Sequence, residues 1–396
     1  MRIREFFETI LNKINTKHFK RWLPVAVIAL VVVVSFVTCS KSNEPLPEPP
    51  ETDFVIEETP TEPEPSPVST PPSAITPQEP EEEITPTPEL TPVNPLTGLP
   101  CEEDSLTVRP IAIMINNIRI AQPQLGVSKA DIIYEMLVEG GITRMLAIFS
   151  DVSEAGVIGS IRSARPYYID VAVSYDAVYI HAGGSPQAYA MLSDPNITSL
   201  DGVAGSKADI FYRDQWRRTN LGSEHSMVTT GELIEKWLPT YDFRLEHNED
   251  FENVMKFSDD GKPKGGASTT DFSVMFSSSK TTSFAYNIED NLYYLSQYNK
   301  PYNDGNDNVQ LAFTNVLILK TAVAGIPGDR EGRLTVKTVG TGSGYFVCGG
   351  SHIEIDWSRE ADGQFTYNLR DGSELILGTG KTYVCVIPEA NEVSII

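Results

Sequence analysis

The alternation of apolar and polar positions divides the chain into stretches of different character. From Trp22 to Cys39, "WLPVAVIALVVVVSFVTC", there is no charged residue. From Ser40 to Val93 there is no apolar period at all: "EPLPEPPE", "TPTEPEPSPVSTPPS" and "TPQEPEEEITPTPEL" repeat proline, glutamate and threonine. Order begins at "NPLTGLP". "RPIAIMIN" reads as a buried strand, and "ADIIYEMLVE" and "ITRMLAIFSD" read as two strands joined at a glycine turn. "SARPYYIDVAVSY" reads as a helix, with Ser163 as its cap, Pro166 in its first turn, and Tyr168, Val171 and Tyr175 at helical spacing. "DAVYIHAGG" is a strand ending in glycines. "SPQAYAMLSD" is a short helix with Ser185 as cap and Pro186 next. "TTGELIEKWLP" is a third helix, with Thr229 and Glu232 spaced as a capping box.

From about Gly265 the period changes. "DFSVMF", "TTSFAYNI", "LYYLSQYN", "NVLILKTAV", "GRLTVKTVG", "GYFVCGGSHIEIDW" and "TYVCVIP" are short runs rich in Val, Ile, Tyr and Thr, separated by Gly, Asp and Asn. The expected class is α+β: a mixed α/β domain over 94–253, a linker at 254–264, and a mainly antiparallel β domain over 265–396. A membrane anchor (1–39) and a disordered stalk (40–93) precede them.

The basic residues Arg2, Arg4, Lys13, Lys17, Lys20 and Arg21 flank the first apolar run, so its basic side is expected in the cytoplasm and the rest outside. The run lies between the core of a signal peptide, about 7 to 15 residues, and a spanning helix, about 17 to 25. "FVTC" is similar to a lipoprotein cleavage box, with Cys39 as the lipid-bearing residue. Left uncleaved, the segment would be a signal anchor. Either way the protein is expected on the outer face of the cytoplasmic membrane. Proline stiffness and charge repulsion keep 40–93 extended, reaching on the order of 100 Å.

Charge narrows the partners. Asp and Glu number 54 against 31 Lys and Arg, a net charge of −23. That excludes the basic footprint of a nucleic-acid binder. Any anionic partner must meet a local positive site. The four cysteines show no C-x-x-C spacing and no paired histidines, so no metal site is expected, and no cofactor motif is present. Cys348 and Cys385 read as buried free thiols, with a bridge as the alternative.

Local positive charge occurs in "GSIRSAR", just before the first helix. Arg162 and Arg165 can fork onto a carboxylate or phosphate, and Ser163 can donate a hydroxyl. A second helix start, "HAGGS", places His181, Gly183, Gly184 and Ser185 together, where glycines allow a ligand close to backbone N–H groups. His225, in "SEHSMVTT", is a further candidate for ligand contact. The alternatives are capping for the serines, ion pairs with Asp170 or Asp176 for the arginines, and a satisfied strand-end histidine for His181. Glu139, on the "EGG" turn, and Glu135 are candidate general acids if burial raises their pKa. Glu139 and His181 are thus the candidate catalytic pair. "LGTGKT", "SSSK" and "GGSPQ" each lack companion residues of the motifs they suggest, and there is no H-E-x-x-H.

"NPLTGLP", "RPIAIMINN", "QPQLGVSKADIIYEMLVEGGITRMLAIFSD", "IGSIRSARPYYIDVA", "YDAVYIHAGGSPQA", "HSMVTT", "GRLTVKTVGTGSGYF" and "WSRE" together resemble the YerB-like lipoproteins of Gram-positive bacteria. The resemblance runs from about Asn94 to Pro388. It implies a lipid-anchored surface protein with an amino-terminal α/β domain and a carboxy-terminal β domain, and it implies no established activity. The residues in its most distinctive strings are Glu139, Arg162, Ser163, Arg165, His181 and His225.

Three functions fit these readings. One is a membrane-tethered module that binds an anionic wall polymer or peptidoglycan fragment through the Arg/His/Gly pocket. The second is a glycan-cleaving enzyme with Glu139 or Glu135 as general acid. The third is a scaffold for other envelope proteins. The oligomeric state stays open.

Overall fold

The structure, a computed structural model, describes residues 91–204 and 209–395. The expected anchor, and all of the stalk but its last three residues, lie outside the described residues. Within them, strands and helices alternate up to Trp237 and strands alone follow from Phe257, which is the expected class.

A large mixed sheet forms the centre. Its strands run in the order Ala267–Ser268, Ser351–Arg359, Gly340–Cys348, Asn315–Thr321, Thr382–Pro388, Ile132–Leu137, Thr143–Phe149, Ile111–Asn116, Val178–His181 and Ser199–Asp201. The carboxy-terminal strand Thr382–Pro388 therefore lies between the two halves of the sequence. It pairs in parallel with Ile132–Leu137 on one side and with Asn315–Thr321 on the other. The expected boundary near 253 marks a change of secondary structure, and the sheet continues across it. The segment 254–264, expected as a linker, itself carries Phe257–Ser258, paired in parallel with Leu377–Gly378.

The middle strands are apolar at nearly every position because both of their faces are covered. Ile111, Ile113 and Ile115 point to one face and Ala112 and Met114 to the other, following the two-residue period of a strand. The first face is covered by a second sheet, Asp271–Ser277, Lys280–Asn287 and Leu292–Gln297, through Phe272, Val274, Phe276, Phe284 and Leu295. That sheet's other face is more exposed, and its strands alternate accordingly. The opposite face of the central sheet is covered by helix Pro166–Ser174 through Tyr168, Ile169 and Val171. Tyr167 donates to the Leu137 carbonyl at 2.7 Å and Tyr168 to that of Arg144 at 2.6 Å, which fixes this helix against the hairpin below it.

Two expected caps move. Arg165, not Ser163, is the N-cap of helix Pro166–Ser174, and it makes no side-chain cap bond. Thr230, not Thr229, caps helix Gly231–Trp237 by accepting from the Leu233 amide; Thr229 is buried and donates to the Ile210 carbonyl. Ser185 caps Pro186–Leu192 as expected, accepting from the Ala188 amide at 3.1 Å. A helix not expected, Gln215–Asn220, is capped by Asp214. Cys348 and Cys385 are buried and free.

Candidate functional site

The glycine turn after strand Ile132–Leu137 sets the first part of the site. Gly140 (φ 73°) and Gly141 (φ 70°) adopt left-handed backbone that other residues rarely take, and this places Glu139 over the hairpin. Two guanidinium groups meet its carboxylate. Arg165 Nε donates to Oε2 at 3.1 Å and Nη2 pairs with Oε1; Arg144 Nη2 lies 3.3 Å from Oε1. Arg144 also donates to the Ser163 carbonyl at 2.5 Å. Burial alone would raise the Glu139 pKa, but the Arg165 hydrogen bond and the two arginine charges outweigh it and leave it lowered. An ionised carboxylate is the opposite of what a general acid needs near neutral pH. Burial, and then the Arg165 charge, push Arg144 down to about 10, still protonated in neutral solution.

Arg162 stands beside this group. Its Nη1 donates to the Glu224 carbonyl at 2.5 Å, and its buried Nε has no partner among the described residues. Its pKa is lowered by burial, opposed by Glu224 and reinforced by Arg165. Neither arginine takes the expected alternative partners. Asp176 pairs with Arg109 and Arg244, and Asp170 accepts from Thr338.

The two helix-start runs do lie side by side. Ala182 N–H donates to the Arg162 carbonyl and Ala164 N–H to that of Gly183, at 3.0 and 2.9 Å. The side chains at "HAGGS", however, are used within the protein. Gly183 (φ 78°) donates its N–H to Asp201 Oδ1 at 2.7 Å, so the anion at this backbone is the protein's own carboxylate. Asp201 also accepts from the Val203 amide and the Tyr189 hydroxyl, both at 2.8 Å. The Tyr189 ring stands against Gly184. His181 is 1% exposed, stacks on Tyr179, and its Nδ1 lies 2.8 Å from the Gly183 carbonyl. Burial lowers its pKa against the opposing Gly183 bond and Asp201 charge, which favours the neutral ring. Arg162, Arg165 and His181 thus each have a separate partner.

His225 is buried beside the arginine group, with Nδ1 2.9 Å from Asn116 Nδ2 and Nε2 3.6 Å from Glu224. The first contact makes Nδ1 the acceptor, which assigns the proton of the neutral ring to Nε2. Its pKa is lowered by burial and by the charge of Arg162.

Glu135 is elsewhere. It points to the face covered by the second sheet, is 0% exposed, and accepts from Asn117, Thr143, Thr282 and Tyr383. Lys280 lies beside it. It has no exposed surface on which to meet a glycan, so it is a core residue rather than an acid in a cleft. Sequence reasoning missed Arg144 and Lys280. The available signal for Arg144 was one charged residue inside an otherwise apolar strand, "ITRMLAIF"; for Lys280 it was indirect, since Glu135 inside "IIYEML" is a buried charge that needs a partner. A cavity of about 910 Å³ opens in the β-rich half, lined in part by Asp259, Lys262, Tyr286, Asp290 and Cys348. None of the candidate ligand-binding or catalytic residues lines it.

Comparison with known proteins returns one family in two parts. Residues 96–244 match the N-terminal domain, and residues 272–384 the C-terminal domain, of a protein family described as of unknown function, DUF3048. The curated relative named "Putative lipoprotein YerB", from Bacillus subtilis (strain 168), is 29% identical over 306 residues, which is 76% of this chain and 88% of that protein. The crystal structure of the YerB protein from Bacillus subtilis superposes with a TM-score of 0.66 at 27% identity, covering 76% of this chain and 99% of that one.

Proposed function

The chain belongs to the DUF3048 family, and from that premise we propose that it is a membrane-tethered extracytoplasmic protein that binds an anionic wall polymer or peptidoglycan fragment. The supporting observation is an excess of positive charge at one place in an acidic chain. Arg144 and Arg165 share the single carboxylate of Glu139, while Arg162, with the exposed Glu224 carboxylate as its main opposing charge, spends one bond on that residue's backbone carbonyl and leaves Nε unpartnered among the described residues. Arg162 and the half-buried Ser163 meet the ligand in this reading. Arg144 and Arg165, oriented by Glu139, supply the field behind them. His181, Gly183, Gly184 and Ser185 shape the adjoining backbone, and His225 holds Asn116. Tethering is through Cys39, in keeping with the lipoprotein name of the curated relative.

Co-sedimentation of the full chain, in detergent, with purified cell walls tests this. Each charged hydrogen bond contributes about 1.5–3 kcal/mol, so Arg162→Ala should weaken retention about tenfold or more. Equal retention of the variant and the parent would reject the reading. Soluble glycan fragments released by the parent and not by Glu139→Gln would point to hydrolysis instead.

A further inference from the structure

A second cleft lies away from the arginine group, where the segment after strand Ile111–Asn116 meets the hairpin Leu292–Pro301. It encloses about 340 Å³, within the usual range for small-molecule sites. In a chain of net charge −23, no carboxylate lines it. Two cations do, Arg119 and Lys300, and neither forms an ion pair with a carboxylate among the described residues. The rest of the lining is uncharged: four side-chain amides, two tyrosines, and the apolar rings of Pro123 and Pro301.

The cleft is held in shape at a conformational cost. Tyr298 and Asn299 form the two-residue turn between the paired residues Gln297 and Lys300, and both have left-handed backbone (φ 53° and 59°). Asparagine and glycine suit such a turn; a bulky aromatic residue rarely adopts it. Backbone of this kind persists where surrounding contacts over-determine it. Here the Tyr298 ring lies 4.8 Å from Lys280 Nζ and 5.8 Å from the Arg119 guanidinium carbon, so the turn positions Arg119 at the cleft. Gln122 Nε2 donates to Gln297 Oε1 at 3.0 Å and ties the two walls together. Two polar atoms of lining residues, Tyr302 Oη and Asn303 Oδ1, are buried without a partner among the described residues. Buried polar atoms are ordinarily hydrogen-bonded, so Asn303 Oδ1 marks a place where a partner belongs, while Tyr302 Oη lies in the core within the field of Glu135.

We infer that this cleft binds a carboxylate-bearing sugar, with Arg119 and Lys300 on the carboxylate, the amides on hydroxyl groups, and the prolines against the C–H face of the ring. Cations without acids select the negative charge, and the density of neutral hydrogen-bonding groups selects a polyhydroxylated body. The inference stands independently of the arginine group around Glu139.

The test uses the full chain in detergent and saturation-transfer NMR with two probes. N-acetylmuramic acid carries a carboxylate that N-acetylglucosamine lacks. The acid should bind at least about tenfold more tightly, the contribution of one charge-assisted contact. Arg119→Gln and Lys300→Gln should each reduce that preference severalfold or more. Lys300 is exposed, so its variant keeps the fold and the comparison stays meaningful. Absence of binding, equal affinity for both sugars, or a preference retained in both variants would overturn the inference. Displacement of the acid by D-alanyl-D-alanine at equal affinity would overturn the sugar part.

Discussion

Glu135 and Lys280 face each other at 3.2 Å with side chains 0% and 1% exposed, one from the central sheet and one from the sheet that covers it. The Nζ is close to Oε1 without hydrogen-bond alignment, and the carboxylate oxygens are filled by Asn117, Thr143, Thr282 and Tyr383. Burial lowers the Lys280 pKa, and the adjacent carboxylate opposes the shift. The pair thus joins two segments distant in sequence through one desolvated contact.

Removing one partner should cost more than the pair is worth. Lys280→Met leaves the Glu135 charge buried and unpaired, a loss of about 3–5 kcal/mol. Adding Glu135→Gln should restore part of that loss, because the uncompensated charge is gone. Urea denaturation of the single and double variants measures the coupling; additive effects would argue against it.

The central position of Thr382–Pro388 predicts that the amino-terminal half depends on the last strand. Truncation after Lys381 removes the parallel partner of both Ile132–Leu137 and Asn315–Thr321. It also removes core side chains such as Val384 and Ile387, each contributing about 1.5–3 kcal/mol by burial. The truncated chain should lose cooperative thermal unfolding. A retained, proteolysis-resistant amino-terminal half would contradict this.

Glu139 should stabilise the protein in a pH-dependent way. Its folded pKa is lowered, so its contribution is present above the unfolded value, about 4.3, and is lost as pH falls through the folded value. Glu139→Gln should therefore be less stable than the parent near neutral pH, and the difference should close in acid. Thermal melts across that range report it. A constant difference would mean that the arginines are held by other groups.

His181 should act in the opposite sense to a cationic ligand-binding residue. With its folded pKa lowered, the unfolded chain takes up a proton near about pH 6.5 that the folded chain resists, so stability falls on acidification through that value. Between about pH 7.5 and about pH 5.5 the parent should lose more thermal stability than His181→Gln. His225, lowered in the same direction, leaves a residual slope that a double variant should flatten. Anion binding should gain no increment from His181 in this window; a gain abolished by His181→Gln would show that the ring charges in the folded protein.

Anchoring is separable from the fold. Cys39→Ala should abolish lipid labelling and release the protein from the membrane fraction. Labelling that survives the substitution would assign the segment as an uncleaved anchor.

The sequence by itself determined the local elements. The continuous apolar run Ile111–Ile115, short and rich in β-branched residues, reads as a strand covered on both sides. The "EGG" turn had to reverse the chain, and Ser185 with Pro186 had to start a helix. These depend on neighbours within a few residues, which the sequence carries directly. The side-by-side path of the "GSIRSAR" and "HAGGS" backbones is a tertiary contact, made by the Ala182 and Ala164 amides across about 20 residues of chain. Tertiary structure alone decided which charges remain available. Glu139 and Glu135 are both acidic residues at one strand's end, yet one bridges two arginines and the other meets Lys280 in the core. Gly183 offers its N–H at a helix start, and Asp201, from the neighbouring strand, takes it. Whether a polar group is free for a ligand depends on which distant group reaches it first, and electrostatic partners are chosen by distance in space, which local periodicity does not encode.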